Sequence, residues 1–194
     1  MTDALKRTGL LVAALLLALA GCSSDDGGGD DSADHNDADV GFATEMIQHH
    51  AQALQMVDLT MGRDLDPEVA TLTEEIRAAQ TPEIETLADW LVEWGEEVPA
   101  TSRDHANAHG DGAQPDSDMP WMMSHEEMQA LEDASDAEFE DMWLEMMIEH
   151  HEGAVTRAQT EQQNGAHDGA IEMAEAIESG QTAEIETMQD LLSS

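Results

Sequence analysis

Positive charge, cysteine and aromatic residues are the scarcest features of this sequence. Six lysine and arginine residues stand against 44 aspartate and glutamate residues, and the formal net charge is −38. A chain with so few positive side chains cannot neutralise phosphates, so nucleic acid is excluded as a partner. The one cysteine, Cys22, excludes an intramolecular disulfide and a Cys-x-x-Cys site. The absence of a glycine-rich phosphate loop and of a Gly-x-Ser-x-Gly elbow argues against nucleotide-binding and serine-hydrolase chemistry.

The first residues have the pattern of a bacterial lipoprotein signal peptide. Two basic residues precede an unbroken apolar run from Leu10 to Ala20, which is too short to span a bilayer comfortably. The run ends in Leu-Ala-Gly-Cys, so we predict that residues 1–21 are removed and that Cys22 is lipidated. Residues 22–38 are rich in Asp, Gly and Ser and are predicted to be a flexible acidic tether. These features predict a protein anchored to the cell membrane on its extracytoplasmic face; the alternative is an ordinary signal peptide followed by a free thiol.

The rest of the chain, residues 39–194, predicts an all-α domain. Tyrosine is absent, runs of β-branched residues are lacking, and apolar residues recur three and four positions apart. The predicted helices cover residues 39–61, 67–94, 124–132, 135–163 and 168–192. Residues 95–120 contain Pro, Gly and Asn without periodicity and are predicted to link two helical hairpins, 39–94 and 121–192. Because each hairpin exposes one apolar stripe, the two are expected to pack as an antiparallel four-helix bundle.

Local signals mark the ends of these helices. Ser124 and Ser135 are each followed three residues later by Glu, which predicts a capping box at the start of two helices. Pro82 lies inside the second predicted helix. It is expected to kink that helix, or to restart it with Thr81 as a cap.

One segment of the sequence occurs twice. It reads Met-Ile-Gln-His-His over residues 46–50 and Met-Ile-Glu-His-His over residues 147–151, an offset of 147 − 46 = 101. The same offset aligns Gln-Thr-Pro-Glu-Ile at 80–84 with Gln-Thr-Ala-Glu-Ile at 181–185. Because one register holds across two separate elements, the hairpins are predicted to be duplicates that bring their histidines into related positions.

The duplicated motif predicts a metal site. Residues three and four apart are neighbours on a helix, so the methionine of each copy lies beside both of its histidines. Adjacent histidines diverge by about 100° around a helix, so a facing helix must complete the site. Imidazole and thioether together form a soft ligand set, which favours copper over iron. The residues predicted for the site are the ligands His49, His50, His150, His151, Met46 and Met147, the acceptors Glu83 and Glu184 that orient the imidazoles, and the auxiliary ligands Met122, Met123 and His125.

Two other interpretations stay open. A histidine on an apolar helix face is often a neutral core residue bonded to a carboxylate, and methionine fills core gaps without a metal. The chain would then be a structural or partner-binding module without catalytic activity. A ferritin-like metal oxidase is the third interpretation. Di-iron bundles use Glu-x-x-His, whereas Met46 and Met147 stand three residues before the histidines here, which argues against it.

These motifs resemble the DUF305 family. The resemblance rests on Phe42-x-x-x-Met-Ile-x-His-His and Trp143-x-x-x-Met-Ile-x-His-His, each followed by Gln-x-x-Glu-Ile, and on Met122-Met123-Ser-x-Glu-Glu-Met. It covers about residues 39–192. The resemblance implies a ferritin-like four-helix fold and, because some members are linked to copper binding and resistance, copper as the bound metal and no organic cofactor. The expected partners are a metal ion and the membrane through Cys22, and a homo-oligomer stays open.

Overall fold

Five helices make up the part of the chain that the computed structural model describes, residues 34–101 and 121–194. They are α1 (Asp37–Asp58), α2 (Pro67–Trp94), α3 (His125–Asp133), α4 (Asp136–Asn164) and α5 (Asp168–Leu192). These residues contain no strand, so the all-α prediction is confirmed. Among the described helices, none is long and apolar enough to cross a membrane. The predicted signal peptide, the lipidation predicted at Cys22 and most of the predicted linker lie outside the described residues.

The first helix begins and ends earlier than predicted. The Asn36 side chain accepts hydrogen bonds from backbone N–H groups of the first turn, and the Asp39 carboxylate accepts from the Asn36 N–H at 2.6 Å. This capping box starts α1 at Asp37, inside the predicted tether. The helix ends at Asp58, and a turn follows in which Gly62 has a φ of +84°, a conformation that favours glycine.

Pro82 does not restart the second helix, so that part of the prediction was wrong. The helix is continuous, and the Thr81 hydroxyl donates to a carbonyl one turn back instead of capping a new helix. Proline removes one helical hydrogen bond. Packing on α1 continues on both sides of it, however, with Ile76 and Leu87 fully buried. The packing therefore outweighs the missing hydrogen bond.

The two predicted capping boxes had different outcomes. The Ser124 hydroxyl accepts from the Glu127 N–H at 3.3 Å, and the Glu127 carboxylate accepts from the Ser124 N–H at 2.7 Å, which confirms the first box. Ser135 is the N-cap residue of α4, but its hydroxyl donates to the Glu138 carboxylate at 2.6 Å and caps no backbone N–H. The second capping box was therefore wrong, because the two side chains bond to each other.

Two helical hairpins meet along α1 and α4. Helix α1 packs on α2, α4 packs on α5, and α1 packs on α4. Helices α1 and α4 run in opposite directions. His49 lies beside His150, and further along α1 the Met56 carbonyl accepts a hydrogen bond at 3.0 Å from the Trp143 indole, which comes earlier in α4. This register determines which residues of the two hairpins face each other.

Two apolar clusters lie on either side of the histidines. The Trp143 cluster contains Ala53, Met56, Val57, Val69, Leu72, Ile76, Met123, Met128, Leu131, Phe139, Trp143, Leu144, Met147 and Met188. The Phe42 cluster contains Phe42, Ala43, Met46, Ile47, Leu87, Leu91, Ala154, Ala158, Ala170, Ala174 and Ile177. The duplicated histidines occupy the stretch of α1 and α4 between these clusters. They form a polar layer that apolar side chains enclose, here called the histidine layer.

A pair of buried carboxyl groups joins the start of α1 to the end of α4. Asp39 and Glu161 are fully buried, and each carboxyl group shifts the pKa of the other. Burial raises the pKa of Glu161 to about 8, the neighbouring Asp39 carboxylate raises it further, and Arg157 opposes the rise. Burial also raises the pKa of Asp39, but its hydrogen bonds, including one from the His167 N–H at 2.9 Å, lower it overall. At neutral pH, therefore, Glu161 holds a proton beside the ionised Asp39.

Candidate metal centre

Two histidines from equivalent positions of the hairpins stack in the middle of the histidine layer. The ring centroids of His49 and His150 are 3.6 Å apart, and the ring planes are inclined by 31°. The two residues are 1% and 0% exposed. Because α1 and α4 pack in opposite directions, the duplication brings like residues face to face.

The other two histidines each face a carboxylate of their own hairpin. His50 Nε2 lies 2.7 Å from Glu83 Oε2, and His151 Nε2 lies 2.8 Å from Glu184 Oε2. A carboxylate only accepts hydrogen bonds, so each Nε2 carries a hydrogen, and in the neutral ring Nδ1 then has the lone pair that a metal uses. The glutamate side chains are 23% and 18% exposed while the imidazoles are 0% exposed. The layer therefore approaches solvent at its glutamates.

Six imidazole nitrogens of the histidine layer are buried without a hydrogen-bond partner. They are both ring nitrogens of His49 and of His150, and the Nδ1 atoms of His50 and His151. An unpaired buried donor or acceptor costs about 1–3 kcal/mol, and most such groups in native proteins are satisfied. An arrangement this unfavourable, repeated in both hairpins, is typical of a site that binds a ligand.

Two glutamines that are absent from the predicted site extend this layer. Gln80 and Gln181 are 2% and 4% exposed, and neither amide has a partner on its nitrogen or its oxygen. Each lies about one helical turn before the glutamate that faces a histidine. The sequence contains a signal for them, because each glutamine is the first residue of a matched Gln-Thr-X-Glu-Ile segment.

Burial keeps the stacked pair neutral. It is the main cause that lowers the pKa of His49 and of His150 well below the ordinary value of 6.5, and neighbouring imidazoles lower both further. The backbone of His150 raises the pKa of His49, although no ring nitrogen of His49 reaches hydrogen-bond geometry. Neutral imidazole is the form that binds metals, so neither ring needs to lose a proton at neutral pH.

Met46 and Met147 lie on opposite sides of the histidine layer. Met46 belongs to the Phe42 cluster and Met147 to the Trp143 cluster, and both are fully buried. Each lies about one turn from the histidines of its own helix. A thioether therefore flanks the layer on either side, in a position to pack against an imidazole or to accept a metal that reaches it.

The three auxiliary candidates lie in different environments. Met123 is buried in the Trp143 cluster, Met122 beside it is half-buried, and His125 is exposed at the first residue of α3. Met123 is therefore a core residue and His125 faces solvent.

The imidazoles meet in pairs and do not surround one point. Within residues 34–101 and 121–194, no three side chains of His, Cys, Asp or Glu form a group that could hold a metal ion. A metal at this layer needs a methionine sulfur as a further ligand, or rotation of an imidazole. Neutral imidazoles with unpartnered nitrogens, together with thioethers, still form a donor set that fits a soft metal.

Comparison with known proteins identifies one family. A family model described as "Domain of unknown function (DUF305)" matches residues 39–192. A DUF305 protein of Streptomyces coelicolor is 29% identical with a TM-score of 0.68, over 80% of this chain and 92% of that one. A DUF305 fragment from Deinococcus radiodurans is 26% identical with a TM-score of 0.67, over 81% of this chain and 97% of that one.

A third similar structure contains copper. CopM in its Cu(II)-bound form is 26% identical with a TM-score of 0.64, over 80% of this chain and 95% of that one. The Cu(I)-bound form of CopM has the same TM-score of 0.64 at 24% identity, and at that identity it supports the fold alone. A search of curated proteins found no match.

Proposed function

The chain belongs to the DUF305 family, and from that membership and its histidine layer we propose that it binds or buffers a soft transition metal, namely copper. The six buried imidazole nitrogens without partners carry the proposal. CopM, which is similar to this chain at 26% identity, holds Cu(II) in one of its structures. Copper is the cargo in this proposal, and no reaction is assigned to the protein.

Each part of the site has a role in this proposal. His49 and His150 offer ring nitrogens from the centre of the layer, and His50 and His151 offer their Nδ1 atoms. The two glutamates that face them hold these rings in one orientation, which also makes Nδ1 the more basic ligand. The Met46 and Met147 sulfurs add soft ligands for Cu(I).

The proposal includes the architecture and the location. We propose that the two hairpins form an antiparallel four-helix bundle of the ferritin-like type, with the histidine layer across its middle. We also propose that lipidated Cys22 holds the domain on the extracytoplasmic face of the membrane, because Leu-Ala-Gly-Cys follows an apolar run that is too short to span it.

Metal titration of double variants tests the site. His49→Gln with His50→Gln, and separately His150→Gln with His151→Gln, are each expected to weaken Cu(I) binding at least about tenfold. Each hairpin alone is expected to be insufficient because His49 and His150 are in contact across the two copies. Isothermal titration with Cu(I) under reducing conditions, and with Ag(I), measures the affinity and the stoichiometry.

His125→Gln is the matched control, because His125 is exposed. It is expected to bind as the wild type does. Two independent sites would appear instead as half the stoichiometry at unchanged affinity in each double variant. Wild-type protein that binds no more metal than either double variant would leave only the acidic surface as a ligand, and the copper proposal would be abandoned in favour of a structural module.

Membrane anchoring has its own test. Cys22→Ser is expected to move the protein out of the membrane fraction or to block its processing, because the serine hydroxyl cannot receive the thioether-linked lipid. Fractionation with mass spectrometry of the mature N-terminus measures both. Unchanged fractionation and unchanged mass would mean that residue 22 is not lipidated.

A further inference from the structure

A short segment before α3 is bound to α1 through one glutamine side chain. The Gln52 amide nitrogen donates to the Met123 carbonyl, and the Met123 N–H donates to the Gln52 amide oxygen, both at 2.8 Å. Gln52 is only 6% exposed. Two buried hydrogen bonds from one side chain fix the backbone of Met123 on α1.

The other end of this segment lies against a glycine of α4. A Cβ added to Gly153 would lie 2.2 Å from the Cβ of Trp121, far inside van der Waals contact. Trp121 therefore packs directly on the α4 backbone, and any side chain at Gly153 would displace it. Gly153 and Gln52 occupy equivalent positions of the two copies, since 153 − 52 = 101.

The two attachment points lie on opposite sides of the stacked histidines. Gln52 follows His49 by about one turn of α1, and Gly153 follows His150 by about one turn of α4. Because these helices run in opposite directions and His49 stacks on His150, one turn along α1 and one turn along α4 lead away from the pair in opposite directions. The segment between them must cross the groove at the level of the pair.

We propose that Trp121–Met123 is a strap that closes the groove between α1 and α4 over His49 and His150, with Gln52 and Gly153 as its positioning residues. Half-buried Met122 is the residue of the strap that lies level with the pair, where its thioether suits a soft monovalent ion. The closure follows from the packing alone. The role of Met122 rests on the proposed function.

Chemical labelling of the metal-free protein tests the closure. Diethyl pyrocarbonate acylates unprotonated imidazole nitrogens, and exposed His125 serves as the internal standard. Gln52→Ala and Gly153→Ala are each expected to speed labelling of His49 and His150 about tenfold or more. One buried hydrogen bond shifts an opening equilibrium about fivefold, and Gln52 makes two. A side chain at Gly153 displaces Trp121. Tandem mass spectrometry locates the label, and circular dichroism confirms that each variant remains helical.

The control is Gln129→Ala, which removes an exposed glutamine with one long contact of 3.5 Å to Asp133. It is expected to label as the wild type does. If labelling of His49 and His150 in Gln52→Ala and Gly153→Ala matches this control, the strap does not close the layer and the inference is wrong.

A second measurement separates the strap from the metal site. Met122→Leu keeps the cover, so its labelling is expected to match the wild type while Ag(I) dissociates at least about tenfold faster. Unchanged Ag(I) dissociation in this variant would remove Met122 from the proposal. A third outcome is fast labelling of the Gln52→Ala variant together with a wild-type protein that binds no Ag(I). That result would retain the closure and reject the metal function instead.

Discussion

Replacing His49 and His150 together with leucine is expected to stabilise the metal-free protein by about 2–4 kcal/mol. All four ring nitrogens of the stacked pair are buried without partners, and an unpaired buried polar group costs about 1–3 kcal/mol. Leucine has a similar volume and removes that cost without leaving a large cavity. For a domain of this size the melting temperature is expected to rise by about 5–10 °C. Thermal melts and urea unfolding without metal measure the change.

His125→Leu is the control for the chemical change itself. His125 is exposed, so its replacement is expected to change the free energy of unfolding by less than about 0.5 kcal/mol. If the double leucine variant is less stable than the wild type, the imidazoles support the fold. The interpretation of these histidines as satisfied core residues then becomes the better one.

This prediction separates the two explanations of buried histidine. A core histidine that donates and accepts within the protein stabilises it, and its loss is costly. A ligand kept free of internal partners destabilises the protein until the metal binds, and only then does it contribute to stability. His50 and His151 have carboxylate partners on one nitrogen, whereas His49 and His150 have none.

Much of this arrangement was readable from the sequence, because it depends on local periodicity and on the repeat. The apolar spacing of three and four located the four long helices of the described residues, the Ser124–Glu127 capping pattern located the short one, and the offset of 101 identified the two copies. Within each hairpin, a histidine within the apolar stripe and a glutamate in the matched later segment were natural partners. The pairs His50–Glu83 and His151–Glu184 needed only the packing of adjacent helices.

The contacts between the hairpins could not be derived in the same way. That His49 would stack on His150 depends on the register of α1 against α4, and helical periodicity does not set that register. The strap was hidden for another reason. Its two positioning residues occupy equivalent positions but differ in type, Gln52 in one copy and Gly153 in the other, so a search for repeated residues passes over them.

Alkaline pH is expected to destabilise the wild-type protein through Glu161. Its pKa is about 8 in the folded state against an ordinary value of 4.5, so the unfolded chain releases this proton first as the pH rises. The free energy of unfolding therefore falls from about pH 4.5 to about pH 8 and levels off above it, by about 1 kcal/mol per pH unit where the slope is steepest. The interval from pH 7 to 9 spans the folded-state pKa of Glu161. Urea unfolding at pH 7, 8 and 9 measures it.

Glu161→Gln is expected to abolish this loss. The neutral amide takes the place of the protonated carboxyl beside Asp39 but has no proton to release, so the variant should be equally stable at pH 7, 8 and 9 and more stable than the wild type at pH 9. Glu145→Gln on the exposed face of α4 is the matched control and should keep the wild-type dependence on pH. If Glu161→Gln and wild type lose stability in parallel, Glu161 does not hold a proton in the folded protein at neutral pH. The start of α1 and the end of α4 would then be joined by the Ala166 and His167 N–H groups that donate to Asp39 and by the Asn36 amide that donates to the Asn164 carbonyl.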